Sequence, residues 1–504
     1  APSPQGGKGD CLSLTAADSP GLTPATPNDA LPTSGYSSAP SCATQNDPLP
    51  TTADSPGLSS ATQNDAIPTE ADSPAPSSGR GPGGGVYHAD LYGTRLSKYD
   101  WLNQHDLSNT PWQPLTPQSP YYFFIPRSTT NLQAYQSWQR ITEIFPLNGV
   151  GMTTARDHFV IDFDAKKLLN RVRSFKYSNL NDKELHQAFR INVKKGWSIR
   201  KAWQKLQEID DHDLQNYVKP VLYRPFDVRY IFYHDAVVWR TVKRVMHHML
   251  AGKNVALVMP RRVEHVGAWQ HIFIADRLVE HVAVSLKTID YCFPLYLYPS
   301  ETAPDMLRQT KEPNLAEWLL PQLAAAYGFT PTPEQVMAYI YAVLYSPTYR
   351  QKYAEELRID FPHVPFTADA DIFRQMASLG QELMDLHLLR KVPAQAGVKY
   401  QGQGSDRIEF VRYDAARGRV AINKDKYFEG ITPEMWEYRI GGYQVLEKYL
   451  KDRKGRDMDD PVRYIRIAEA IARTMDIQQQ IDQVYPGVES KVLSLGRGCK
   501  NSCG

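Results

Sequence analysis

An 18-residue repeat constrains this chain more than any other feature, because it removes the first 85 residues from the part that can build a core. Ala25-Thr26-Pro27-Asn28-Asp29 returns as Ala43-Thr44-Gln45-Asn46-Asp47 and again as Ala61-Thr62-Gln63-Asn64-Asp65. Leu31-Pro32-Thr33, Leu49-Pro50-Thr51 and Ile67-Pro68-Thr69 keep the same step. Each copy offers one or two aliphatic side chains among several prolines. That is too little apolar surface to offset the entropy of ordering the backbone. Residues 1–85 are therefore expected to be disordered, ending in the flexible linker Gly81-Pro82-Gly83-Gly84-Gly85.

At about 100–200 residues per domain, the 504 residues predict two to four structural units, with ample length for a core. No run of 18 apolar residues occurs, which argues against a transmembrane helix. The start, Ala1-Pro2-Ser3-Pro4, has no basic or apolar leader pattern and no initiator Met, so the chain reads as a fragment or processed product without a secretory signal. Five cysteines (Cys11, Cys42, Cys292, Cys499, Cys503) lack zinc-ribbon spacing and are too few for a disulfide scaffold. A reducing, cytoplasmic setting is the expectation.

Aromatic density rises abruptly at Val86, and the pattern from there is mixed. Tyr135, Trp138, Ile141 and Ile144 recur at helical steps and predict a helix over 133–145. Phe159–Phe163 reads as a strand after a glycine turn at Gly149-Val150-Gly151, and further strands are expected at 228–233, 254–259, 271–275 and 282–286. A helical block spans about 313–391, where Ile372, Phe373, Met376, Leu379, Leu383 and Leu386 share one face. Arg407–Tyr413 and Arg419–Ile422 predict a hairpin around Arg417-Gly418, and a last helix is expected at 461–480. The fold class is α+β: an N-terminal lobe over 86–300, a helical block over 301–395 and a C-terminal lobe over 396–490. Residues 491–504 read as a disordered tail.

Several chemistries have no motif here. Phosphate loops, His-Glu-x-x-His and Cys-x-x-Cys metal pairs and a Gly-x-Ser-x-Gly elbow are missing. Gly149-Val150-Gly151 lacks the third glycine of a dinucleotide fingerprint. Asp482 with Glu489-Ser490-Lys491 faintly echoes a nuclease metal site. It is placed at the frayed end of the ordered region, with Pro486-Gly487 between the carboxylates, and is not expected to work as one. No catalytic, cofactor or metal residue is assigned.

The charge balance points elsewhere. The net charge is only +2, but two of the 57 basic residues lie before Val86 (Lys8 and Arg80), against eight of the 55 acids. The excess concentrates within 190–290, where 17 Lys and Arg face 10 Asp and Glu. A helix over Trp239–Leu250 would carry Arg240, Lys243, Arg244 and His247 on one face, with Val242, Val245, Met246 and Met249 opposite. Such a helix packs by its apolar side and presents cations to phosphates or base edges; equally, it is an ordinary solvated face. Arg261 and Arg262 add two forked guanidiniums. Arg224 and Arg229, in Tyr223-Arg224-Pro225-Phe226-Asp227-Val228-Arg229, lie beside stacking surfaces, or else form a buried Arg–Asp pair.

Six segments in order carry a family likeness. Tyr87-His88-Ala89-Asp90-Leu91-Tyr92-Gly93-Thr94-Arg95 precedes Lys98-Tyr99-Asp100-Trp101-Leu102. Gly149-Val150-Gly151-Met152-Thr153-Thr154-Ala155-Arg156-Asp157 and Tyr223–Tyr230 follow, then Phe293–Tyr298 and Tyr341–Pro347. Together they resemble the C-terminal specificity region of Type ISP restriction–modification enzymes, over about 86–490. The later Gly442–Arg453 is similar to a motif of recognition domains fused to adenine methyltransferases. The resemblance implies a target recognition domain that grips duplex DNA, with Arg156 joining Arg224, Arg229, Arg240, Lys243, Arg244, Arg261 and Arg262 as DNA-binding candidates.

The family's Asn-Pro-Pro-Tyr/Phe loop and S-adenosylmethionine loop have no counterpart here, nor do its helicase and nuclease motifs. S-adenosylmethionine, ATP and Mg would belong to absent methyltransferase, helicase and nuclease modules, supplied in cis or in trans. Two alternatives stand beside stand-alone recognition: an active adenine-N6 methyltransferase or restriction enzyme completed by such modules, and a decayed remnant without DNA affinity.

Overall fold

A computed structural model describes residues 12–16, 85–117, 122, 124–126, 131–191, 196–264, 268–300 and 310–496. The repeat copies, Cys11, Cys42, Cys499 and Cys503 lie outside the described residues. The chain divides into two units at Ser128 and Thr129.

In the first unit Val86–Leu91 is the central strand of three. It pairs antiparallel with Gln113–Leu115 and with Leu12–Ala16, Leu12 opposite Leu91 and Ala16 opposite Tyr87. Thus five residues of the segment expected to lack structure form a strand. Leu-Ser-Leu-Thr-Ala, free of proline, alternates apolar and polar positions as a strand requires. Thr94 caps the helix Arg95–Gln104 by accepting from Ser97 N at 3.3 Å.

The described residues of the second unit share one core that runs from Tyr135 to Val488, so the lobe boundaries expected at 300 and 395 fall inside that unit. Helices and small two- to four-stranded sheets mix within it, as an α+β reading requires. At its centre a four-stranded antiparallel sheet takes the order Phe273–Ala275, Ala256–Pro260, Asp290–Pro294, Gly149–Val150. Beside it Leu278–Val279, Val218–Arg224, Asp227–Phe232 and Ile161–Asp162 form a second sheet.

The helical block is present, and its densest contact is between Pro333–Tyr345 and Ala370–His387. The two backbones meet at Gly380, where an added Cβ would lie 1.8 Å from Ala338 O. The last helix, Pro461–Ser490, runs ten residues past its expected end and carries Pro486 inside it. Asp460 opens it by accepting from Arg463 N at 2.9 Å. Arg412–Asp414 and Arg419–Ala421 form the expected hairpin, with Gly418 at φ +59° in its turn. No helix of the described residues is long and apolar enough to cross a membrane.

Four local expectations fail for identifiable reasons. The helix over 133–145 breaks after Ser137, because Gln139 and Arg140 pair with Val364 and His363; its four apolar positions are buried all the same. Phe159 and Val160 end a single helical turn, and the strand is only Ile161–Asp162. Gly149-Val150 is a short strand rather than a turn. A Cβ at Gly149 would meet Val245 Cγ2 at 2.8 Å, so the glycine there permits close packing of a helix. Residues 491–496 pack instead of fraying: Val492 bridges to Thr367, Lys491 pairs with Asp369 at 2.7 Å, and Gly496 N donates to Gln322 at 2.8 Å.

Candidate nucleic-acid interface

The eight candidate cations separate into two populations. Three are interior. Arg156 stacks 3.6 Å from the Trp197 ring centre, and its Nη1 donates to Val237 O at 3.1 Å. Burial lowers its guanidinium pKa to about 10. Arg224 donates to buried Glu280 at 2.8 Å and lies 4.0 Å from the Tyr223 ring centre. Arg229 bridges Asp227 and Asp452 at 2.7 and 2.8 Å and lies 3.8 Å from the same ring. Burial pushes the Asp227 carboxyl up, but Arg453 and Arg229 more than offset this and hold it below the ordinary range. Both readings of Tyr223–Arg229 describe the structure: Arg229 forms the buried pair with Asp227, and both arginines lie over the Tyr223 ring. Removing one member of such a pair leaves the other charged and buried.

The other five are exposed: Arg240, Lys243, Arg244, Arg261 and Arg262. They do not all share one helix. Val242 adopts φ +50°, and the helix runs only from Lys243 to Leu250, so Arg240 lies outside it, bridged to Thr153. Trp239 N and Arg240 N bond the carbonyls of Thr154 and Thr153, and this pairing keeps the helix from starting earlier. The apolar side is as expected, with Val245, Met246 and Met249 buried. Lys243 pairs with Asp235, while His247 reaches Pro299 O at 2.6 Å. Arg261 pairs with Asp360 at 2.8 Å. Among the described residues Arg240, Arg244 and Arg262 form no ion pair.

Strand register gathers most of these at one end of the central sheet. Pro260 is opposite Asp290, so the chain leaving toward Arg261 and Arg262 runs beside the chain arriving through Ile289. Gly151 N donates to Asp290 O at 2.9 Å at the same end, and Thr153, two residues further along the chain, carries the bridge to Arg240. Gly441 N donates to Gln270 O at 2.7 Å and Gly442 N to Val284 O at 3.0 Å. Backbone pairing thus brings these segments together, and three of them carry exposed cations: Arg240 on one, Arg261 and Arg262 on another, and Lys287 on the third.

Lys287 escaped sequence reasoning because 282–286 reads as a strand. The Asp290 carboxylate instead accepts from Val284 N and Ser285 N at 2.6 and 3.1 Å, and Ser285 Oγ accepts from Thr288 N at 3.1 Å. Those bonds fold the segment into a loop. The Ser285-x-x-Thr288-x-Asp290 spacing was the available signal. The faint nuclease echo is structural: Asp482 accepts from Ser346 Oγ at 2.7 Å, and Glu489 accepts from Tyr353 and Tyr485 at 2.9 and 2.8 Å.

Residues 143–480 match the family described as the Type ISP C-terminal specificity domain. Among solved structures, the chain is similar to a nuclease-deletion mutant of the Type ISP restriction–modification enzyme LlaGI in complex with a DNA substrate mimic, with TM-score 0.56 and 18% identity over 77% of this chain and 32% of that one. It is also similar to DrdV in a DNA complex, at TM-score 0.59 and 20% identity over 77% of this chain and 42% of that one. The ATP-dependent Type ISP enzyme LlaBIII bound to DNA matches at TM-score 0.56 and 17% identity, over 74% and 25%. The chain therefore spans less than half the length of each. No curated protein matches the sequence.

Proposed function

The chain belongs to the Type ISP C-terminal specificity domain family, and from that membership we propose that it recognises a sequence in double-stranded DNA as the specificity domain of a restriction–modification system. The observation that carries this reading is the end of the central sheet where Arg240, Arg261, Arg262 and Lys287 emerge on converging loops while Arg156, Arg224 and Arg229 brace the interior. Exposed guanidiniums on short, pinned loops suit phosphate contacts and bidentate readout of guanine in the major groove. The solved structures of similar fold, each described with DNA, support the same partner.

In this reading the protein works in the cytoplasm. S-adenosylmethionine, ATP and Mg serve methyltransferase, helicase and nuclease modules joined to it in cis or in trans. The test is selection of duplexes from a randomised pool by the 504-residue chain. Enrichment of one sequence, with affinity falling as salt rises, is the expected result. Failure to retain any duplex at low salt overturns the reading.

A further inference from the structure

Loop 282–289 carries an unusual pair at its tip. Leu286 and Ile289 are 52% and 49% exposed, and Lys287 between them is also exposed. Aliphatic side chains half in water are ordinary when scattered, but these two lie on one short loop that is rigidly held. Buried Asp290 grips its backbone at Val284 and Ser285. Ser285 Oγ and Thr288 Oγ1 share a hydrogen bond of 2.7 Å, and Tyr443 donates to Val282 O at 2.8 Å. Gly441 and Gly442 brace the other side: a Cβ at Gly441 would lie 1.9 Å from Val284 O, and one at Gly442 would lie 2.5 Å from Leu286 Cγ. The loop backbone is thus fixed on both sides, with one flank of Leu286 resting on Gly442 and the rest of Leu286 and Ile289 left in solvent.

Charge decides between occupants. Lys287 lies within the tip, and the strand exit beside it carries exposed Arg262 and Arg261, the latter also paired with Asp360. A protein surface that buries an apolar tip is not generally polyanionic, whereas a duplex offers phosphates at the rim and base faces between them. We propose that Leu286 and Ile289 form a wedge that enters a base step of the bound duplex and partly unstacks it, while Lys287, Arg261 and Arg262 hold the flanking phosphates. This rests on the DNA-binding reading above. It assigns to the loop deformation of the duplex, a task distinct from reading its sequence.

The test uses the 504-residue chain and a pool of duplexes whose randomised centre carries 2-aminopurine in place of adenine. That base brightens when it leaves the stack. The parent should bind and raise the fluorescence. Leu286→Ala/Ile289→Ala should bind about tenfold more weakly, as expected for two lost apolar contacts, and without the fluorescence rise. Its salt dependence should match the parent's, because no cation has changed. Leu286→Met/Ile289→Leu, which keeps the tip apolar, should restore the signal. If the double alanine variant melts early, Ile289→Ser alone, at a position that braces no glycine, carries the same expectation. A variant that binds and brightens like the parent overturns the wedge while leaving DNA recognition intact. So does one whose only loss is association with a separately supplied methyltransferase module, which would make the tip a protein interface. A parent that binds no duplex overturns both readings.

Discussion

Asp227 and Arg453 meet at 2.7 Å across 226 residues of sequence, joining the strand Asp227–Phe232 to the segment that follows the helix Val445–Lys451. The second Asp227 oxygen holds Arg229, and Arg229 holds Asp452, so two distant motifs close into one buried network. Phe163, Tyr223 and Tyr449 supply its walls, with Arg453 lying 3.5 Å from the Tyr449 ring centre. Removing one member of such a set leaves its partners charged and dry. Asp227→Asn should lower unfolding free energy by about 3–5 kcal/mol, as measured by urea titration. An unchanged denaturation midpoint would mean that the network contributes no stability.

Two fully buried groups should tilt the pH profile in opposite directions. His387 takes a hydrogen bond from Tyr341 at 2.8 Å and reaches Thr474 Oγ1 at 3.0 Å, and burial lowers its pKa to about 3. The folded state thus binds fewer protons than the unfolded state between about 3 and 6.5. The stability it contributes is present above 6.5 and is lost as pH falls toward 3, by about 2 kcal/mol between pH 7 and pH 5. Asp290, raised to about 7 by burial, works the other way. Its folded form keeps a proton that the unfolded chain releases near 4, so its contribution is full below 4 and is lost as pH rises to 7. His387→Gln should flatten the acid side of a melting-temperature profile, and Asp290→Asn should steepen it. Parallel profiles for parent and both variants would refute the assignment.

Gly380 should be intolerant of any side chain. Its Cβ would fall 1.8 Å from Ala338 O, which only separation of the helices Pro333–Tyr345 and Ala370–His387 could relieve. Gly380→Ala should cost at least about 1–3 kcal/mol by thermal or chemical melting. Gly496→Ala is the control, since its nearest neighbour would be the flexible end of Gln322 at 3.8 Å. Equal stability of the two variants would contradict the helix crossing.

Much of this architecture is legible in the sequence, because buried apolar residues keep their period whatever the backbone does. Tyr135, Trp138, Ile141 and Ile144 are all buried although their helix is broken, and Phe373, Met376 and Leu383 form the face that their spacing predicts. What misleads is long-range pairing. Gln139-Arg140 becomes a strand only because His363-Val364 arrives beside it, and Arg240 leaves its helix only because Thr153 takes its backbone. The candidate cations are legible in residue type but their exposure is not. Arg224 and Arg261 look alike in sequence, yet Glu280 and the Tyr223 ring enclose the first, while the second sits at the end of a strand. Partners that distant leave no local mark.

That division gives the sharpest test of which arginines touch DNA. Arg261→Ala/Arg262→Ala removes two exposed charges, and each lost phosphate contact should reduce the slope of log K against log[salt] by about 0.9 with melting temperature unchanged. If either guanidinium instead reads guanine, the loss should be about 1–3 kcal/mol on the selected sequence and small on random duplex. Arg244→Ala should behave like one phosphate contact if the start of the helix Lys243–Leu250 reaches the backbone, and should change nothing if it faces only water. Arg224→Ala should do the reverse of all three. It leaves Glu280 buried and unpaired, so the protein should melt earlier, while whatever remains folded keeps the parent's relative affinity among sequences. Anisotropy titrations on both DNAs at two salt concentrations, read beside melting curves, separate these outcomes. A normal fold with parental binding in the Arg261/Arg262 variant would remove the sheet end from the interface, whatever the family to which the chain belongs.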